Sequence, residues 1–98
     1  MKENINFLDH LFKNIEKKAK GKDKNSYTRL LLKNGKKKIA QKLGEESSEL
    51  IIDYLDGSKK RTIEEASDLI YHLFVMLYSK KINLRDIEKE LKRRENVR

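Results

Sequence analysis

The stretch "KLGEESSELIIDYLDGSKKRTIEEASDLIYHLFVMLYSK", Lys42 to Lys80, decides the fold. Its apolar residues recur at helical rather than alternating spacing, and Gly57 followed by Ser58 interrupts them once. Glycine stops one helix and serine caps the next, so the stretch reads as two long helices joined by a tight loop, an antiparallel hairpin. Both helices also carry acids. Glu46 and Glu49 are three residues apart on the first, Glu65 and Asp68 three apart on the second, and His72 follows one turn later.

Working outward, the chain has no proline and four glycines, at positions 21, 35, 44 and 57. An all-α domain is expected. The first helix is predicted from about Ile5 to Lys20, with Phe7, Leu8, Leu11, Phe12 and Ile15 on one face. A charged linker, "KGKDKN", follows. "SYTRLLLKNG" reads as a short helical turn capped by Ser26 and stopped at Asn34-Gly35. The hairpin helices should run from about Lys36 to Asp56 and from the Ser58 cap to about Lys80. Asn83 caps a last helix, "LRDIEKELKRR", with Ile87 and Leu91 turned inward. The 98 residues form a single domain in this reading.

Composition narrows the function classes. With 24 Lys and Arg against 16 Asp and Glu, the net charge is +8, which admits a nucleic acid or a polyanionic small molecule as partner. The absence of cysteine removes disulfides, thiolate metal sites and a cysteine nucleophile. No window reaches the ~18 apolar residues of a membrane span. The N-terminus has no signal-peptide core, so the cytoplasm is the expected compartment and no membrane partner is expected.

Helical rotation places the acids. On the second long helix Ile39, Ala40, Leu43, Leu50, Ile51, Tyr54 and Leu55 cover an apolar arc of roughly 160°. Glu46 lies at its edge, with Glu49, Glu45, Lys38 and Lys42 on the adjoining flank. The third long helix is apolar almost all round, which predicts burial in a subunit interface. Only a strip of roughly 60°, holding Glu65, Asp68 and His72, breaks it. Carboxylates buried there unpaired would be costly. Either lysines neutralise them or a divalent cation sits between the helices. Four carboxylates on facing helices make an oxygen cage suited to Mg²⁺, or Mn²⁺ in its place, and such a site leads to phosphate chemistry. A di-iron centre is the weaker rival, because it requires Glu-x-x-His on two helices. The competing reading of the acids is a solvated face with i,i+4 pairs such as Lys42–Glu46.

The combination of Ser26-Tyr27-Thr28, the block Lys42, Gly44, Glu45, Glu46 and the block Glu65, Asp68, Leu69, Tyr71, His72, Leu73 resembles the phosphoribosyl-ATP pyrophosphatase family. The resemblance spans about Phe7 to Arg94. More widely, the chain is similar to all-α nucleotide pyrophosphatases with an E-E-x-x-E … E-x-x-D signature. The resemblance implies that Glu46, Glu49, Glu65 and Asp68 bind Mg²⁺ and that the chain assembles as a homodimer or higher oligomer. It also implies hydrolysis of phosphoribosyl-ATP to phosphoribosyl-AMP and pyrophosphate, the second step of histidine biosynthesis. Ser47 and Ser48, between the glutamates, and Leu43 depart mildly from the family pattern.

On that reading Glu45 or Glu49 orients or deprotonates the attacking water, and Lys38 and Lys42 neutralise phosphate oxygens. Tyr27, Thr28 and Arg29 contact substrate, or else form only a helix cap and hinge. His72 supports Asp68 from one turn along. Some relatives are fused to a zinc-dependent cyclohydrolase. This chain is expected to stand alone, being too short and free of cysteine. The rivals are a housecleaning nucleoside-triphosphate pyrophosphatase sharing the metal site, and a basic helical dimer that binds nucleic acid.

Overall fold

The structure, a computed structural model, describes residues 7–97. Ile5 and Asn6, the expected start of the first helix, lie outside the described residues. Five helices follow in order: α1 Phe7–Lys20, α2 Tyr27–Asn34, α3 Lys36–Asp56, α4 Lys59–Ser79 and α5 Leu84–Arg94. No strand occurs among the described residues, and none of these helices is long and apolar enough to cross a membrane.

The helix ends follow local chemistry. Ser26, Ser58 and Asn83 each accept a backbone N–H with the side-chain oxygen, from Arg29, Arg61 and Asp86. Asp86 returns the bond to the Asn83 N–H, completing a capping box. Gly35 ends α2 and opens α3 at φ 94°, a left-handed value that strains any residue with a Cβ. At Gly57 the constraint is space, since a Cβ would come within 2.9 Å of the Asp53 Cα. The two-residue link at Gly57-Ser58 folds α3 back along α4 as the predicted antiparallel hairpin.

The core lies at one end of that hairpin. Phe12 and Ile15 of α1, Leu31 of α2, Ile39 of α3, and Phe74 and Val75 of α4 are buried together. The Phe12 and Phe74 rings meet edge to face at 5.4 Å. Two expectations fail within the protomer. Ile51, Tyr54 and Leu55, predicted on the core-facing arc of α3, are 58–75% exposed, as is Ile52. Ile39, near its start, is the one residue that α3 gives to this core, and α3 packs chiefly along α4, so the apolar residues of its second half are left largely uncovered. Similarly, α5 buries no residue, and Leu91 is 61% exposed. Ile87 and Leu91 line an open apolar groove of about 700 Å³ with Leu8, Phe74 and Leu84 instead of closing onto the core.

Candidate metal centre

The hairpin brings together three carboxylates. Glu46 and Glu49 stand one turn apart on α3, and Glu65 faces them from α4. One oxygen from each lies within 4.8 Å of the other two. Glu46 and Glu65 are buried at 8% and 5% exposure, while Glu49 is exposed and forms the mouth. Asp68 is exposed and falls outside this tight grouping. It remains close enough that its charge acts on Glu65.

The cluster is under-compensated. Glu65 Oε2 accepts from Arg61 Nη2 at 3.2 Å, but the buried Oε1 has no partner. Burial first, then the Glu49 charge, pushes the Glu65 carboxyl above its ordinary value of 4.5, against the pull of Arg61. Lys42 Nζ sits 4.0 Å from Glu46 and 3.3 Å from Glu45. A lysine at 4.0 Å and one shared arginine leave three close carboxylates with excess negative charge. An all-oxygen set with an unpartnered, buried oxygen fits a hard divalent cation such as Mg²⁺. Histidine nitrogen does not enter the cluster, so the di-iron reading has no support here.

Glu45 behaves differently from its neighbours. Its carboxylate accepts from Gln41 Nε2 at 2.9 Å and pairs with Lys42, and these two contacts hold its carboxyl below the usual range. Lys42 is held above its ordinary value, chiefly by the same Glu45 contact. Lys38 is exposed on the same helix, and its charge also acts on Glu45.

The Ser26-Tyr27-Thr28 segment is tied to α4 by two adjacent clasps. His72 Nδ1 lies 2.8 Å from the Asp68 carbonyl oxygen, which can only accept, so Nδ1 carries the proton. In the neutral ring Nε2 is then the acceptor, and the Tyr27 hydroxyl donates to it at 2.8 Å. Burial, with the charges of Tyr71, Glu46 and Asp68 against that of Lys42, keeps the Tyr27 phenol above its usual value and protonated. Beside it the Thr28 hydroxyl pairs with that of Tyr71. Thus His72 meets Asp68 through the backbone carbonyl, not through the carboxylate that the sequence suggested. Thr28 is 1% exposed with its hydroxyl engaged, and the Arg29 N–H completes the Ser26 cap. The cap therefore uses only the Arg29 backbone, and the Thr28 side chain is occupied by Tyr71.

Sequence reasoning passed over Arg61. Its guanidinium reaches Glu64 at 3.2 Å, Glu65 at 3.2 Å and Asp53 of α3 at 3.7 Å, closing the turn end of the hairpin. The available signal was its position four residues before Glu65.

A sequence model of the family described as phosphoribosyl-ATP pyrophosphohydrolase matches residues 8–95. The chain is 46% identical over 89 residues to the phosphoribosyl-ATP pyrophosphatase of Sulfolobus acidocaldarius, covering 91% of this chain and 94% of that protein. It is 45% identical over 93 residues to the enzyme of the same name from Clostridium botulinum, covering 94% and 84%. The histidine biosynthesis bifunctional protein HisIE of Buchnera aphidicola is 44% identical over 95 residues, which make up 96% of this chain and 46% of that protein.

Proposed function

The chain belongs to the phosphoribosyl-ATP pyrophosphohydrolase family, and from that premise we propose that it hydrolyses the α–β phosphoanhydride bond of phosphoribosyl-ATP. The products are phosphoribosyl-AMP and pyrophosphate, in the second step of histidine biosynthesis. The observation that carries the metal-dependent form of this reading is the Glu46, Glu49, Glu65 cluster with its unpartnered buried oxygen.

Glu46, Glu49 and Glu65 would hold Mg²⁺, with Asp68 completing the set from one turn further along α4. Bound there, the cation supplies neutralisation of phosphate charge and a lowered pKa for an attacking water. Mn²⁺ would substitute, having the same preference for oxygen. The protein's own groups divide the remaining work. Glu46 and Glu65, buried on facing helices, fix the floor of the site. Glu49, exposed at the mouth, is placed to orient the water and take its proton as the oxygen bonds to phosphorus. Glu45 is the poorer base, because Gln41 and Lys42 already stabilise its ionised form. Lys42 and Lys38 meet the triphosphate as point charges. Tyr27, half-exposed beside Lys42, and the partly exposed Arg29 are the members of the Tyr27, Thr28, Arg29 group open to substrate, while Thr28 is buried.

The exposed apolar face of α3 and α4 supports assembly as a homodimer or higher oligomer. We assign the whole chain to one domain and its activity to the cytoplasm, as befits a biosynthetic step on a soluble nucleotide.

Turnover of phosphoribosyl-ATP, ATP and a deaminated nucleoside triphosphate, each with and without Mg²⁺, tests the proposal. A metal-dependent preference for phosphoribosyl-ATP is expected. Equal turnover of all three would replace the reading with a housecleaning nucleoside-triphosphate pyrophosphatase. Full activity of Glu49→Gln and Glu65→Gln would overturn the carboxylate site itself.

A further inference from the structure

A second concavity, of about 300 Å³, opens where the α1–α2 loop passes α2 and α4. Lys18 and Lys22 line it together with Asn25, Ser26, Tyr27 and Tyr71. Resting on the phosphoribosyl-ATP reading above, we propose that this cavity binds the ribose 5-phosphate end of the substrate. It would thereby distinguish phosphoribosyl-ATP from an ordinary nucleoside triphosphate.

The carboxylate cluster repels a phosphate unless a cation lies between them, so a phosphate remote from the triphosphate needs cationic partners elsewhere. Positions 17–24 hold five lysines and one aspartate, and the fold turns two of these lysines, Lys18 and Lys22, into the cavity wall. The aspartate, Asp23, also lines it, with Oδ1 accepting the Asn25 N–H at 2.9 Å; its charge offsets one lysine and leaves the wall with a net positive charge of one. Size agrees with the assignment. About 300 Å³ is at the low end for a small-molecule site, suiting a sugar phosphate and not a whole nucleotide.

Position agrees as well. The Tyr27 ring lines the cavity, its hydroxyl reaches His72, and it lies within the electrostatic reach of Lys42, Glu46 and Asp68. Tyr27 therefore stands between the cavity and the acid cluster. A substrate with phosphate groups at both ends would span it, triphosphate to the carboxylate side and 5-phosphate to the lysine side. Stacking of Tyr27 on Tyr71, at 6.1 Å between ring centres, fixes that dividing wall.

Two measurements on the full chain test the assignment. In the first, ribose 5-phosphate is titrated into metal-free, ¹⁵N-labelled protein. Saturable shifts are expected at Gly21, Asn25 and Thr28, absent with ribose and weakened at least tenfold in Lys18→Gln/Lys22→Gln. The second is the ratio of kcat/KM for phosphoribosyl-ATP over ATP. It should fall about tenfold in that double variant, mainly through a higher KM for phosphoribosyl-ATP. Lys59→Gln/Lys60→Gln, which removes the same charge at the start of α4, serves as control. An equal fall in the control would overturn the proposal in favour of net charge, and so would a ratio that moves less than twofold in Lys18→Gln/Lys22→Gln. Should the wild-type chain turn over phosphoribosyl-ATP no faster than ATP, the functional reading fails separately. The ribose 5-phosphate titration then decides the cavity alone, upheld by lysine-dependent saturation and overturned without it.

Discussion

Replacing Glu65 by glutamine should reverse the stability order of variant and wild type when a divalent cation is added. Glutamine keeps the shape and can still accept from Arg61, but it removes one charge from three crowded carboxylates. In metal-free buffer that charge is a liability, because Oε1 is buried without a partner and Glu49 opposes ionisation. The variant should therefore melt higher than wild type in EDTA. With Mn²⁺ at a hundredfold excess over its dissociation constant, cation binding stabilises wild type by about 2.7 kcal/mol. For a domain of this size that raises Tm by on the order of 10–20 °C. Losing one of three grouped oxygens should weaken binding about a hundredfold, the upper end of what even indirect ligand support is worth. At the same Mn²⁺ concentration the variant then gains only about 0.4 kcal/mol, or about 2–3 °C. Differential scanning fluorimetry at one fixed protein concentration reads both conditions. The sign with pH follows from the raised carboxyl. Its contribution to metal-free stability is complete below the ordinary value of 4.5 and is lost as pH rises through the raised one. The variant should lack that part of the slope. The same melting order in both buffers, or equal Mn²⁺ gains, would refute the assignment of Glu65 to a cation site.

Asp68→Asn should weaken Mn²⁺ about tenfold by calorimetry, less than Glu65→Gln, because Asp68 lies outside the tight grouping; an equal loss would place it inside. Thr28→Val strands a half-buried Tyr71 hydroxyl and Tyr27→Phe strands the Nε2 of the buried His72, so each should cost about 1–3 kcal/mol in urea denaturation. A cost near zero for either variant would mean that its clasp contributes nothing to the fold. Leu55→Lys puts a charge on the exposed apolar face of α3 and should shift light-scattering mass towards the monomer; an unchanged mass would place the interface elsewhere.

The parts legible in the sequence were those decided within a few residues. Ser26, Ser58 and Asn83 cap because their side chains meet N–H groups three residues ahead, and Gly35 turns because no side chain opposes φ 94°. The spacing of Glu46, Glu49 and Glu65 reached the cluster for the same reason, since an antiparallel hairpin with a two-residue link leaves little freedom of register. Illegible parts depend on which other element arrives. Periodicity marks the apolar side of α3 and α5 but cannot say whether anything covers it, so Leu55 and Leu91 were placed inward and lie outward. The Tyr27–His72 and Thr28–Tyr71 clasps join residues 45 and 43 apart, and no local pattern announces such pairs. Lys18, in the last turn of α1, and Lys22, in the loop after it, carried no site information in the sequence because their direction is set by what that end of the helix and its loop pack on.

The same hairpin bears both the acid cluster and the uncovered apolar face, and this joins two properties usually treated apart. Glu46 and Glu49 leave α3 on the side facing Glu65, while Ile51, Ile52 and Leu55 continue that helix with large exposed apolar surface. A second copy covering Ile52 and Leu55, as proposed, would restrain the register of α3 against α4, and that register sets the spacing of the carboxylates. A cation drawing Glu46, Glu49 and Glu65 together restrains it from the other side. Linkage is reciprocal, so whatever free energy the cation lends to association, association returns to cation affinity. The basic surface completes the logic. On the proposed reading, a chain with net charge +8 would draw a polyphosphate towards the acid cluster, and a cation held there would bridge the two.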